Sequence, residues 1–375
     1  MSLFRRSSIL SLVLAAFIFT LLLKNLGNFS SEQSYVDGQD GPSYNPSLFS
    51  SGTAKPAGGN YTRVLVMARL STEDASWLDK DLPELPRKIY TVDSPDYSGL
   101  PANKGNEAMA YLTYIIDHYD SLPDIVLFFH PPKKSWHNNI VLDADTAITI
   151  KLLSDAHVMR QGYFNTRCHL DPGCPDWLHV DRPKWRYDLQ RKPEEPALSS
   201  SLFHDLFGSD VAIPRAISQP CCAQFAVSGE RIRQRPRRDY VHFRDWLLRT
   251  ALDDKISGRI LEYAWHYIFA GVFELCPSQH RCYCDGYGIC FEGGEQGLRK
   301  WLDSFRAKEV LDGKLQGLWR GGDKGGSKKF KKLKDQSGRL GRDLDEAREQ
   351  ALKRGFDPQT RAKECGREWH EGDGF

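Results

Sequence analysis

The chain has 375 residues, 40% of them hydrophobic, and a formal net charge of +2. That length suits one large domain or two small ones with tails. The near balance of charge excludes a global electrostatic preference for nucleic acid, and no nucleic-acid partner is expected. Nine cysteines and nine tryptophans point to a well-packed luminal or extracellular domain, with one thiol left over if the other cysteines pair.

Arg5 and Arg6 precede an apolar run from Ile9 to Leu23, and Lys24 closes it. The run is short against the ~20 residues that span an average bilayer. A thinner secretory membrane and a snorkelling Lys24 reduce the mismatch. The expected layout is a cytoplasmic tail over 1–8, a signal anchor over 9–24 and a type II membrane protein of the Golgi or endoplasmic reticulum. The two arginines favour a cytoplasmic N-terminus. The alternative is a secreted chain after signal cleavage, for which Asn25-Leu26-Gly27 is the best small-residue site on offer. Sequons at Asn28 and Asn60 agree with either route.

Residues 25–60 are rich in Ser, Gly, Asn and Pro and read as a flexible stem. A luminal α/β domain is expected over 61–291. Val64 to Ala68 is a buried-strand run, and Lys88 to Val92 is a second strand candidate. Between them Ser71 is a candidate N-cap, with Glu73 and Asp74 in the first turn. Apolar residues at Ala108, Tyr111, Leu112, Ile115, Ile116 and Tyr119 lie on one face of a helix, with Asn103 as its cap. Ile125 to Phe129 is a third strand and ends at His130. Strand alternating with helix predicts a Rossmann-like, mostly parallel sheet with flanking helices.

Beyond it, Asp145 to Met159 reads as one helix and 165–196 as a long loop region. Ala223 to Val227 reads as a strand, and Ser228 caps a helix that Pro236 stops. Tyr240 to Arg249 and Gly258 to Phe269 read as two more helices. The tail over 292–375 is expected to be helical and basic, with a helix over Glu295 to Leu318. Gly321 to Gly341 is Gly- and Lys-rich and reads as disordered, ahead of a short helix at Asp343 to Arg354. Lys328 to Lys334 is expected to be a solvated linker, or else a contact for an anionic surface or polysaccharide.

Four groups of residues carry chemistry. Asn103, Lys104, Gly105 and Glu107 form a polar turn before a helix, a plausible phosphate seat or an ordinary capped start. His130, His137, Asp143 and Asp145 offer nitrogen and oxygen ligands to a divalent metal, although their spacing matches no metal motif; the bland reading is loop histidines and a helix-capping Asp. Glu262 and His266 are four apart and would share a helix face, as base and orienting group or as a packing contact. Among the cysteines, Cys168 with Cys174 is the natural local pair. Cys221 and Cys222 are adjacent and are expected to reach different partners. Disulfides suit the compartment, and the connectivity stays open.

Taken together, Glu73-Asp74 with Trp77-Leu78, Asn103-Lys104-Gly105 with Glu107-Ala108, His130-Pro131, Trp136-His137-Asn138, Cys221-Cys222, Glu262 with Trp265-His266, and Cys282 with Cys284 resemble a family of fungal membrane-anchored proteins, domain-of-unknown-function family 3431. The resemblance spans Val64 to Cys290. Three positions depart from its pattern: Asn106 and Gly229, where an Arg is usual, and Pro132, where a second His is usual. The layout of tail, anchor, stem and α/β domain is also similar to glycosyltransferases of the A-type fold. Those enzymes place Asp-x-Asp at the end of a central strand, where this chain has His130-Pro131 and only later Asp143-Ala144-Asp145. That likeness implies a sugar transferase using a nucleotide sugar with Mn or Mg and acting on a glycan. A non-catalytic luminal or wall-associated binding protein is the alternative, and a metal-dependent hydrolase the third reading.

Overall fold

The computed structural model describes residues 49–183 and 198–374. The expected anchor, the Asn28 sequon and most of the stem lie outside the described residues. No helix among the described residues is long and apolar enough to cross a membrane. Asn60 is exposed, as its sequon requires.

In chain order, β1 (Arg63–Arg69), α1 (Trp77–Asp81), β2 (Arg87–Thr91), α2 (Ala108–His118) and β3 (Ile125–Phe128) build the first half of the domain. Then come α3 (Thr146–Leu152), α4 (Asp155–Gln161), β4 (Tyr163–Asn165), β5 (Leu178–His179), α5 (Ser200–Phe207), β6 (Ala216–Ile217) and β7 (Phe225–Ser228). Helices α6 (Gly229–Gln234), α7 (Arg237–Arg249), α8 (Asp254–Glu262), α9 (Trp265–Ala270), α10 (Gln279–Tyr287), α11 (Glu295–Arg320), α12 (Lys328–Gly355) and α13 (Pro358–Glu364) complete it.

The main sheet among the described residues runs β2-β1-β3-β7-β4. β1 pairs in parallel with β2 and β3, but β7 is antiparallel to both β3 and β4. The sheet is therefore mixed: β2, β1, β3 and β4 run in one direction, and β7 runs against them. Helical crossovers join β1, β2 and β3 in one direction. After β3 the chain lays β4 at the sheet edge in the same direction, and β7 then enters between β3 and β4 from the opposite end. Strand residues alternate between two cores, as a sheet covered on both faces requires. Val64, Val66, Val126, Phe128 and Phe225 pack with α2, α7 and α9. Leu65, Met67, Ile125, Leu127 and Ala226 pack with α1, α3, α4, α10 and the tail helices.

Helix α2 is buried all round from Ala108 to Ile116, more than the single predicted face, because α7 packs against it. The expected Ser71 cap does not form. Ser71 instead hydrogen bonds Asp93, and the helix starts later, at Trp77. The run from Asp145 to Met159 is two helices, with Ser154 capping the second. The segment read as disordered lies largely within α12, a helix of 28 residues. It packs beside α11 and sends Leu344 and Ala351 into the core that also takes Leu298, Trp301 and Leu302. Trp301 Nε1 donates to the Leu344 carbonyl at 2.9 Å.

Four disulfides form among the described residues: Cys168–Cys282, Cys174–Cys276, Cys221–Cys222 and Cys284–Cys290. Cys365 is the buried free thiol. The expected Cys168–Cys174 pair is wrong, and so is the separation of Cys221 from Cys222. The bridges from 168 and 174 instead cross to the segment around α10, more than a hundred residues away. Such a set of bridges marks an extracytoplasmic, secretory-pathway protein.

Candidate functional site

A cleft of about 550 Å³ opens at the carboxyl ends of the parallel strands. Ala68 and Arg69 come from the end of β1, Val92 from the exit of β2, and His130 and Pro131 from the exit of β3. β1 sends the chain to a neighbour on one side and receives β3 on the other. In an α/β sheet that point leaves a crevice outside the strand ends.

The turn before α2 supplies one wall. Asn103, Asn106 and Glu107 line the cleft, but Lys104 and Gly105 do not. Lys104 Nζ turns away to the Thr250 carbonyl at 2.9 Å. The Gly105 amide donates to Asp254 Oδ1 at 3.3 Å. Both groups expected to meet a phosphate are thus committed within the protein, and the turn does not offer them as a seat. Gly105 has φ +69°, and a Cβ there would lie 2.6 Å from Leu247 Cδ2. Asn103 does not cap α2, since Glu107 occupies the N-cap position without a side-chain cap bond. Gly258 on α8 makes room for the turn, because a Cβ there would lie 2.5 Å from Asn106 Nδ2. Burial raises the Glu107 carboxyl to about 7, against the pull of the Arg259 guanidinium.

The segment after β3 supplies the second wall. The His130 amide donates to Gln224 Oε1 at 3.1 Å, and Gln224 Nε2 donates to Asn138 Oδ1 at 2.9 Å. The His130 and His137 rings stand edge to face, their centroids 5.0 Å apart. Burial holds both imidazoles down to about 4, so both are neutral at neutral pH. His130 Nε2 and His137 Nδ1 are buried without a hydrogen-bond partner. Asp143 and Asp145 do not join them. Asp145 Oδ1 accepts from the amides of Ala147 and Ile148, which makes it the N-cap of α3. Asp143 pairs with Arg348 of α12 at 2.6 Å. Neither lines the cleft, so the expected quartet of metal ligands is not assembled.

The third wall is the end of α8 with Cys221 and Cys222. Glu262 Oε1 accepts from the Cys222 amide at 2.6 Å, and its Oε2 lies 3.8 Å from Arg259 Nε. The two sulfurs lie within 4.8 Å of the Glu262 carboxylate. Because they are joined to each other, they present no thiolate to a metal. His266 does not share this wall. The helix breaks after Glu262 and restarts at Trp265, which turns His266 into the core. There its Nε2 lies 2.9 Å from the Phe273 carbonyl, and burial lowers it to about 4.

Arg69, Trp136, Asp254, Arg259 and Tyr263 also line the cleft and were not predicted as site residues, nor was Glu73. Two had a signal. Arg69 is the last residue of β1, and strand ends are where α/β ligands bind. Arg259 is one turn before Glu262 on the same helix.

A family model described as Protein of unknown function (DUF3431) matches residues 65–285, a span that contains every residue of the cleft. No curated protein and no solved structure matches the chain.

Proposed function

The chain belongs to the family described as Protein of unknown function (DUF3431), and for this member we propose a secretory-pathway enzyme of glycosyltransferase type. It would move a sugar from a nucleotide donor to an acceptor hydroxyl, as a type II protein held in the Golgi or endoplasmic reticulum membrane. One observation carries the reading: Glu107, the His130–His137 segment and Glu262 come from three separate parts of the chain yet line one cleft at the strand ends. Polar groups gathered in a concave site, with a titratable group shifted toward neutrality, fit acid–base chemistry.

Glu107 is the proton-transfer group in this reading. With a carboxyl near 7 it exchanges a proton at working pH, the condition for an efficient general base toward the acceptor hydroxyl. Glu262 already accepts from the Cys222 amide and faces Arg259, so it serves to hold a hydroxyl in place. Arg69 and Arg259 are the cleft cations that would meet the donor phosphates. Asn103 and Asn106 offer amides to ribose or sugar hydroxyls.

A divalent ion commonly accompanies such a donor, and it would neutralise the charge of the leaving diphosphate. The orphaned nitrogens of His130 and His137 fit Mn²⁺ better than Mg²⁺, which prefers oxygen ligands throughout. The non-catalytic reading required these residues to be packed separately, and their shared cleft favours the enzyme.

Thermal shift of the full chain against a panel of UDP- and GDP-sugars, with and without Mn²⁺, tests the donor. One donor should raise the melting temperature, and Arg69→Ala should weaken that rise. No stabilisation by any sugar nucleotide would reject the reading.

A further inference from the structure

The cleft combines ionisable walls with an apolar rim. Two of the exposed large hydrophobic side chains line it: Leu70, 44% exposed, and Trp136, 63% exposed. Folding ordinarily removes indole surface from water, so a tryptophan displayed at a cleft invites a ligand explanation.

Trp136 is held in place. Arg167 Nη1 donates to the carbonyls of Trp136 at 2.7 Å and His137 at 2.9 Å. The Arg167 guanidinium carbon lies 5.3 Å from the indole centroid, over the ring. The His137 ring meets the indole nearly edge-on, with centroids 4.3 Å apart. Just beyond, the Asn138 side chain donates to the Ala144 carbonyl and Thr146 Oγ1, each at 3.0 Å, and Asn139 Nδ2 donates to the Thr166 carbonyl at 2.7 Å. The backbone that carries Trp136 is therefore pinned by part-buried and buried bonds while its ring stays in water. Such preorganisation lowers the entropy cost of stacking a ligand on the ring.

The neighbours select the ligand. Glu73, Asn103, Asn106 and Glu262 surround the same cavity with carboxylate and amide groups. A ligand that fits has one flat C–H face for the indole and a rim of hydroxyls for these groups. A pyranose ring has both, whereas a nucleobase is better served by a slot with two faces, and Arg167 lies over one face of this indole.

We infer that Trp136 is the platform on which a pyranose unit of a glycan stacks. That this unit is the acceptor rests on the glycosyl-transfer reading.

The test uses the full chain in detergent, as wild type, Trp136→Ala and Trp136→Phe. Binding of mannotriose, maltotriose and cellotriose is followed by titration calorimetry, alongside the sugar-nucleotide panel. At least one trisaccharide should bind the wild type. Trp136→Phe should keep that binding, and Trp136→Ala should weaken it about tenfold, the size of one good aromatic contact. Sugar-nucleotide binding should be unchanged in both variants. If no trisaccharide binds the wild type, or if Trp136→Ala binds it as well as wild type does, the platform is wrong. If Trp136→Ala loses the nucleotide and keeps the trisaccharide, the indole stacks a base, and the platform is again wrong. Trp136-dependent trisaccharide binding without any nucleotide binding would overturn the donor reading and leave the platform standing.

Discussion

At the scale of single residues, Glu107 is the proton-transfer group of the proposed reaction. Its carboxyl is raised from 4.5 to about 7 by burial, so the folded protein prefers it protonated. Below pH 4.5 the group is protonated in both states and favours neither. Between about 4.5 and 7 the unfolded chain ionises it first, and stability is lost as pH rises through that window. Glu107→Gln should therefore stabilise the protein at pH 8 by about 1–3 kcal/mol and change little at pH 4. Thermal melts of both proteins at the two pH values check this. Equal melting temperatures at pH 8 would mean that the carboxyl is not held out of water. His130 and His137 are depressed to about 4 and contribute in the opposite sense: their share of stability is present above 6.5 and fades as pH falls toward 4. In the sequence Glu107 was legible as part of a polar turn before a helix, not as an acid held out of water. Its desolvation comes from chain segments far from it, and no local pattern records that.

At the scale of elements, periodicity and strand composition found the first half of the domain. Val64 to Ala68, Lys88 to Val92 and Ile125 to Phe129 each fall within a residue or two of an observed strand. The spacing from Ala108 to Ile116 gave α2, and His130 was rightly placed at a strand end. Other elements were illegible for identifiable reasons. The break after Glu262 carries no Gly or Pro at Tyr263 or Ala264 to announce it. α12 contains Gly338 and Gly341 and many lysines, yet Leu344 and Ala351 dock on the core, and tertiary packing outweighs weak propensity. Disulfide partners were assigned by nearness in sequence, whereas the fold brings residue 168 to 282 and 174 to 276. Loop closure then ranks the bridges. Cys168–Cys282 spans 114 residues and Cys284–Cys290 spans 6. Replacing both cysteines of the first pair by Ala should cost about 5 kcal/mol, and of the second about 2 kcal/mol. Guanidinium melts of the two double variants check the order, and a larger loss from the short bridge would contradict it.

At the scale of the whole molecule, a mixed sheet covered on both faces positions a cleft at the ends of its parallel strands, and the Cys168–Cys282 bridge and the tail helices brace one of its two cores. Composition and cysteine count had indicated the compartment, and the bridges agree. What composition could not indicate is which polar residues converge. Glu107, His130, His137 and Glu262 do so, while Asp143, Asp145 and His266 serve a salt bridge, a cap and the core. In the proposed reaction this convergence transfers a sugar, with Glu107 moving the proton. The direct measurement is release of labelled sugar from each nucleotide donor to a glycan acceptor by the full chain, as wild type and as Glu107→Gln. One donor should be turned over, and the variant should bind that donor but transfer about 10²–10⁴-fold more slowly. Turnover of no donor, or equal transfer by wild type and variant, would contradict the proposed reaction.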